Sequence, residues 1–153
     1  MAILLRGRTV CKLCGRVIGA GEPATLFSHL VLNEADPLYL LSDAACHTAC
    51  VETDRRGLAM AGVAEAAGAR IGPGRRSCAV CNEQILDPDD YVLLGYLGDP
   101  ATQPLGRFNF THLHRSHARL WQDAAVFRDL ARNALSRGLW RGNALDKFLD
   151  LIS

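Results

Sequence analysis

The sequence has no long hydrophobic run and almost no net charge. The apolar run near the N-terminus, Ala2 to Leu5, has only four residues, too few for a signal peptide, and no later run approaches the roughly 20 residues that cross a membrane. The formal net charge at pH 7 is +1, so no overall field draws the chain to DNA or to an anionic membrane. We therefore predict a cytoplasmic protein with no membrane partner.

Common catalytic signatures are also missing. The chain contains no GxSxG, P-loop or H-E-x-x-H motif. A zinc deaminase needs H-x-E followed by P-C-x-x-C, but His29 precedes Leu30 and Val31, and neither CxxC pair follows a proline. His112 and Asn109 lie close enough in sequence to suggest an HNH nuclease, although their order does not fit. We expect no enzyme and no small-molecule substrate, with an HNH-type nuclease or a ligase-like role as the open alternatives.

Paired cysteines are what the sequence does have. Four of the six cysteines form two CxxC pairs, Cys11 with Cys14 and Cys78 with Cys81. In a reducing compartment such pairs are more often metal ligands than disulfides. The chain has 153 residues, and halves of about 70 residues have small cores that often need a metal to fold. A redox pair or plain core cysteines are the alternatives for each CxxC.

An internal repeat connects these pairs to histidines. A shift of 67 residues superposes the two CxxC pairs and places His47 on His114 and Cys50 on His117. Each half then has C-x2-C, 32 residues, and H-x2-C or H-x2-H. A redox pair does not explain the matching distal residues. The repeat predicts eight metal ligands: Cys11, Cys14, His47, Cys50, Cys78, Cys81, His114 and His117.

The repeat also suggests where the modules begin and end. A segment rich in glycine, proline and arginine, Ile71 to Arg76, has no periodic pattern. We predict a first module at 1–70, a linker at 71–77, a second module at 78–138 and a C-terminal amphipathic helix at 139–153. The abundance of alanine, arginine, glycine and leucine indicates a bacterial source.

Short β-prone runs surround each CxxC pair. The residue directly after each pair, Gly15 or Asn82, tolerates a tight turn. This pattern predicts a knuckle on a β-hairpin in each half. Further strands are predicted at Leu38–Leu41, Tyr91–Leu94 and Arg107–Phe110.

Helices are predicted after the second ligand pair of each half. The first covers 47–56, is interrupted at Gly57 and continues over 58–67; the second runs from His114 to a stop at Gly138. A last helix begins at Ala144 with Asn143 as its cap. Its apolar stripe consists of Leu145, Phe148, Leu149 and Ile152.

Zinc fits this ligand pattern. A tetrahedral Zn²⁺ binds four Cys or His ligands, a CxxC turn supplies two, and residues i and i+3 of a helix supply two more from one face. We therefore expect two Zn²⁺ per chain. Four protein ligands leave no position for an activated water, so the sites should be structural. The first site would carry one net negative charge, which Lys12 and Arg16 could offset, and the second would be neutral.

A knuckle followed by a helix that carries the second ligand pair resembles the treble-clef zinc finger. The ligand order of Cys11, Cys14, His47 and Cys50 is similar to the first site of a LIM domain, with a longer insert. This resemblance implies an α+β fold made of two tandem small treble-clef modules plus the C-terminal helix. Cys46 and His112 adjoin the ligands and are the candidates to replace one of them. We expect Cys46 to be a buried thiol and His112 to lie on the surface of a strand.

A zinc module without catalytic groups usually binds a macromolecule. We predict a protein-interaction adaptor, because apolar residues remain that could form an interface: Phe27, Leu30, Val31, Tyr39, Tyr96, Leu97, Trp121 and Trp140. The stripe of the last helix could also dock on a partner, and filling the core is the alternative role for all these residues. A second hypothesis is nucleic-acid binding, since 107–141 has seven arginines against two aspartates. A third is a RING-like ubiquitin-ligase module, which would need interleaved ligands.

Overall fold

The computed structural model describes residues 2–72 and 74–153. It combines helices with two small antiparallel hairpins, an α+β composition. The chain divides into two compact units, Met1–Val31 with Pro37–Ala67, and Leu32–Asp36 with Gly68–Ser153. The predicted module bounds stay predictions, and the predicted linker at 71–77 includes Pro73, which lies outside the described residues.

In the first unit a hairpin precedes two helices. Strand β1, Ala24–Leu26, pairs antiparallel with β2, Ala45–His47, and a 3-10 turn at Tyr39–Leu41 lies between them in the chain. Helix α1, Thr48–Thr53, starts directly after β2, and α2, Arg55–Ile71, begins in this unit, which ends at Ala67.

The second unit repeats this order and adds helices at its end. Strand β3, Tyr91–Leu93, pairs antiparallel with β4, His112–His114, and a 3-10 helix covers Pro104–Phe108 between them. A further 3-10 helix, Arg115–Leu120, follows β4. Helices α3, Ala124–Ser136, and α4, Ala144–Leu151, complete the unit. No helix in the described part of the chain is long and apolar enough to cross a bilayer.

The 67-residue repeat extends to backbone pairing. Ala24 pairs with His47 in the first hairpin, and Tyr91 pairs with His114 in the second, at the same shift of 67. The bridges Val10–Val17 and Ser77–Gln84 obey it too. So do the left-handed residues, Gly15 with Asn82 and Asp43 with Phe110. The two halves therefore share one backbone plan from the knuckle to the strand that ends in histidine.

Two predicted strands are wrong. Leu38–Leu41 contains a 3-10 turn, and Arg107–Phe110 overlaps a 3-10 helix that begins at Pro104. In each half the strand that pairs in the hairpin comes a few residues later, after a left-handed residue turns the chain. The predicted strand at Tyr91–Leu94 is confirmed over Tyr91–Leu93.

The first helical region breaks at Asp54 and not at the predicted Gly57. Asp54 has an extended backbone, and its side-chain Oδ1 accepts the N–H of Arg56 at 2.8 Å, so it starts α2 as a cap. Gly57 lies buried inside α2. A Cβ at Gly57 would come within 2.7 Å of the Val51 backbone, so glycine is there because α1 and α2 approach closely.

The region from His114 to Gly138 also forms in two pieces, because the chain leaves the helix between Leu120 and Ala124. Its predicted stop at Gly138 is confirmed. Gly138 has φ +66°, its N–H donates to Leu135 O at 3.1 Å, and the N–H of Leu139 donates to Ala134 O at 2.9 Å. These two bonds form a Schellman cap.

Helix α4 begins at Ala144 as predicted, but the Asn143 side chain makes no capping hydrogen bond. Its stripe packs into the core of the second unit, with Leu145 and Ile152 buried and Phe148 and Leu149 partly buried. The stripe is therefore part of the core and is not a docking surface.

Glycine substitutions test the close approach of α1 and α2. Gly57→Ala should lower the free energy of unfolding by about 1–3 kcal/mol, since its methyl group overpacks against the Val51 backbone. Gly62→Ala in the same helix is the matched control, because a Cβ there meets nothing within 4 Å. It should raise stability by about 0.5–1 kcal/mol. Urea unfolding measures both, and a Gly57→Ala protein as stable as Gly62→Ala would contradict the packing described.

Candidate metal centres

Four predicted ligands meet in the first unit. Cys11 and Cys14 lie on the knuckle, His47 ends β2, and Cys50 lies in the first turn of α1. One ligand atom from each lies within 4.8 Å of the others. The knuckle turns because the N–H of Gly15 donates to Cys11 O at 2.9 Å, and Gly15 adopts φ +74°, a conformation that favours glycine.

The second unit brings together the other four predicted ligands, Cys78, Cys81, His114 and His117. One ligand atom from each again lies within 4.8 Å of the others. The knuckle bond recurs from Asn82 N–H to Cys78 O at 2.8 Å. Asn82 has φ +62°, which asparagine tolerates better than most residues. The structure therefore brings all eight predicted residues into two clusters that could hold metal ions, each closed within one unit.

The contacts between sulfur and nitrogen fit a tetrahedral ion. Cys14 Sγ lies 3.4 Å and Cys50 Sγ 3.8 Å from His47 Nδ1. In the second cluster Cys81 Sγ lies 3.5 Å from His114 Nδ1, and Cys78 Sγ lies 3.9 Å from His117 Nδ1. Ligands bonded at about 2.3 Å (S) and 2.0–2.1 Å (N) to one tetrahedral ion lie about 3.5 Å apart. The residues present therefore fit such an ion.

Backbone amides stabilise the thiolate of the first cysteine in each cluster. The N–H of His47 points at Cys11 Sγ at 3.4 Å, and that of His114 points at Cys78 Sγ at 3.3 Å. Burial alone raises the pKa of each thiol, but backbone donors outweigh it and lower the pKa of Cys11 and of Cys78 to about 6. A thiolate is the form that binds a metal, so both sulfurs are prepared for one.

Cys50 is the thiol of the first cluster whose ionisation a cation would favour. Burial, together with the neighbouring sulfurs of Cys14 and Cys11, raises the pKa of Cys50 to about 11. Three thiolates cannot share this volume without a positive charge between them. A divalent ion would supply that charge and allow all three to ionise.

Glu22 orients the histidine of the first cluster. Its Oε2 lies 3.2 Å from His47 Nε2 and also accepts the N–H of Gly19 at 2.6 Å. The Gly19 hydrogen bond, followed by His47, lowers the pKa of Glu22. A carboxylate on the far nitrogen fixes the ring with Nδ1 toward the sulfurs, as around many metal-bound histidines.

The surroundings of the two clusters differ in charge. A hydrogen bond to Cys14 raises the pKa of the Arg16 guanidinium, so this cation stabilises the sulfur-rich cluster. The shift of 67 puts Glu83 at the place of Arg16 and Asp89 at the place of Glu22. Neighbouring Asp90 instead accepts the N–H of Ser116 at 2.8 Å. The extra negative sulfur of the first cluster is thus accompanied by an arginine that has no counterpart at the equivalent position of the second half.

Cys46 and His112, the two candidates to replace a ligand, lie outside both clusters. Cys46 is fully buried, and burial raises its pKa to about 11, so it is a core thiol as predicted. His112 is on a strand, but the expectation of an exposed side chain is wrong, since it is only 7% exposed. Tyr91 Oη contacts its Nδ1 at 2.9 Å and Arg70 O contacts its Nε2 at 3.0 Å. The residue equivalent to His112 in the first half is Ala45, so the repeat could not predict this buried contact.

Compared with known proteins, the chain matches no protein-family model, no curated protein and no solved structure.

Glu22→Gln should weaken metal binding in the first cluster about 10- to 100-fold, because the far nitrogen of His47 loses its charged partner. Titration with Co²⁺ can follow both clusters, since three thiolates and two thiolates give different absorption. Asp89→Asn, the equivalent change in the second half, should leave both affinities unchanged. Equal Co²⁺ affinity in Glu22→Gln and the unsubstituted protein would show that the carboxylate does not act on the ligand.

Proposed function

We propose that this chain is a non-catalytic protein with two structural zinc sites, one in each unit, and that it acts as a protein-interaction adaptor. The observation that carries the proposal is the pair of clusters, each closed by four Cys and His side chains at separations that fit a tetrahedral ion. Sets of three sulfurs with one nitrogen, or two with two, are the usual ligands of structural Zn²⁺. Zinc would contribute folding energy to both units.

We further propose that each unit is a treble-clef module. The support is the order of elements: a knuckle with two cysteines, a hairpin, and a helical turn that begins at the histidine and carries the fourth ligand. The ligand order of the first unit is the one that resembles a LIM site. A treble clef has little core of its own, so the ion would be the main link between the knuckle and the helix.

The absence of catalysis is part of the proposal. Four protein ligands fill a tetrahedral sphere and leave no place for an activated water. The residues that suggested a nuclease are engaged elsewhere: both ring nitrogens of His112 have partners. Asn109 donates to Gly98 O at 2.8 Å and accepts the N–H of Leu97 at 2.7 Å. Both residues therefore serve the fold.

Exposed aliphatic residues support a protein partner. Most of the apolar residues first considered as anchors are buried in the cores: Phe27, Val31, Tyr96, Leu97, Trp121 and Trp140. Large aliphatic side chains remain exposed in both units, among them Ile3 (73%) and Leu58 (55%) in the first, and Leu86 (86%) and Leu120 (67%) in the second. Such side chains are more typical of a protein interface than of a phosphate-binding surface.

The arginines of 107–141 favour nucleic acid less than their number suggests. Arg107 lies over the Phe108 ring at 4.9 Å and reaches Asp123 at 3.9 Å. Arg115 and Arg128 donate to the backbone carbonyls of Asp89 and Ile152. Several of these arginine side chains are therefore already engaged by groups of the protein itself. A RING-like module is also disfavoured, since its ligands would interleave, whereas each cluster here is drawn from one half.

Metal analysis tests the structural sites. The purified chain should contain two Zn²⁺, and Cys14→Ser should reduce this to one and unfold the first unit, because binding energy of roughly 10–16 kcal/mol is lost from folding. Cys46→Ala is the matched control: it removes a neighbouring cysteine outside the cluster, so the content should stay at two. Two ions in Cys14→Ser, or stability unchanged by chelator, would contradict the proposal.

A salt series separates the adaptor from a nucleic-acid-binding protein. We expect no binding of a labelled DNA or RNA duplex by fluorescence anisotropy at about 50 mM salt, where phosphate contacts are strongest. An affinity in the micromolar range that falls steeply toward 200 mM salt would favour the nucleic-acid hypothesis instead. The zinc content would be unaffected by either outcome.

A further inference from the structure

The second unit contains a cavity away from its metal cluster. Its volume is about 520 Å³, within the range of about 300–1,000 Å³ that is typical of small-molecule sites. Three parts of the unit surround it: the end of α3 with the segment that follows, the stretch from Leu97 to Leu105, and the segment Asn33–Asp36. None of the eight predicted metal ligands lines it.

Hydrogen bonds hold the walls of this cavity in place. The Asn33 side chain donates to Leu139 O at 2.9 Å and accepts the N–H groups of Ala35 and Arg141 at 2.9 and 3.0 Å. In the stretch that begins at Leu97, the Asn109 side chain accepts the N–H of Leu97 and donates to Gly98 O. The end of α3 is fixed by its Schellman cap. The cavity is therefore formed before any ligand arrives, which lowers the cost of binding.

The lining is mostly apolar and carries one available cation. Leu97, Leu105 and Leu130 contribute aliphatic surface, and Trp140 adds its ring. Arg137 is exposed at the rim, and its guanidinium has no ion pair or hydrogen bond within residues 2–72 and 74–153.

Two features of the lining could oppose an anion, and neither does so strongly. Asp36 also lines the cavity, but it is only 8% exposed and already interacts with another group of the protein. The C-terminal end of α3 has negative polarity, but the carbonyls of Asn133, Ala134 and Leu135 all accept backbone N–H groups. Arg137 is therefore the exposed charged residue of the lining.

We propose that this cavity binds a small aliphatic carboxylate, with the hydrocarbon chain against the leucines and Trp140 and the carboxylate at Arg137. This site is independent of the zinc proposal, because its lining shares no residue with either cluster. It gives the chain a small-molecule ligand that the sequence motifs did not predict.

Titration of the full-length, metal-loaded protein with octanoate, octanol and octylamine tests the charge and the apolar chain separately. The ¹H–¹⁵N spectrum reports on the two tryptophan indole N–H signals, which a Trp140→Phe sample assigns. Octanoate should bind saturably, one per chain, and shift the Trp140 signal more than that of Trp121. It should bind about two- to fivefold more tightly than octanol, the effect of one exposed ion pair, and octylamine should be weakest. Equal affinities for the three compounds would overturn the assignment of an anion.

Matched variants locate the site. Arg137→Gln should reduce octanoate affinity to that of octanol, whereas Arg132→Gln, in α3 but outside the lining, should not change it. Ala134→Leu, which fills the cavity, should abolish binding of both compounds. Octanoate binding that survives both Arg137→Gln and Ala134→Leu would overturn the proposal. The wild-type ligand series still tests it if a variant fails to fold, and zinc content measured alongside shows whether the metal sites are intact.

Discussion

In each unit a buried cysteine sulfur joins two segments that are distant in the chain. Cys11 Sγ accepts the N–H of His47, and Cys78 Sγ accepts that of His114. This contact sets the knuckle against the junction where a strand becomes a helix. The other ligands can converge only because that junction is fixed, since His47 and Cys50, or His114 and His117, follow from it along the chain.

The two clusters show how one backbone can carry different electrostatics. Strand register, knuckle bonds and left-handed residues agree at a constant shift. The side chains around them do not agree: the first cluster has a third sulfur, an arginine beside it and a carboxylate on its histidine. The second has two histidines whose rings meet edge to face at 5.0 Å. The backbone contacts therefore determine where the ligands meet, and the variable side chains determine the charge that a bound ion would experience.

Sequence reasoning succeeded where the signal was local or periodic. The CxxC pairs, the distal pairs at i and i+3, the left-handed Gly138 and the start of α4 can all be found from spacing and residue type. It failed where the outcome depends on distant packing. Leu38–Leu41 has the composition of a strand, but Ala45–His47 occupies that place in the hairpin.

Two further misses have the same physical origin. Glycine usually weakens a helix, yet Gly57 lies inside one. Glycine is needed there because the Val51 backbone leaves no room for a Cβ. His112 is polar, yet it is buried because Tyr91 and the Arg70 carbonyl provide partners for its ring. Neither contact can be inferred from nearby sequence, and the cavity is still harder to foresee, since it joins residues about a hundred positions apart.

The segment Leu32–Asp36 belongs to the second unit although it lies within the first half of the repeat. The chain thus leaves the first unit after Val31, contributes five residues to the second unit, and re-enters the first unit at Pro37. A fragment cut at the repeat boundary would carry Asn33 away with the wrong half, leaving the Leu139 carbonyl and the Arg141 amide without their side-chain partner. Dissection of this protein into separately expressed halves would therefore damage the second half even with its metal cluster complete.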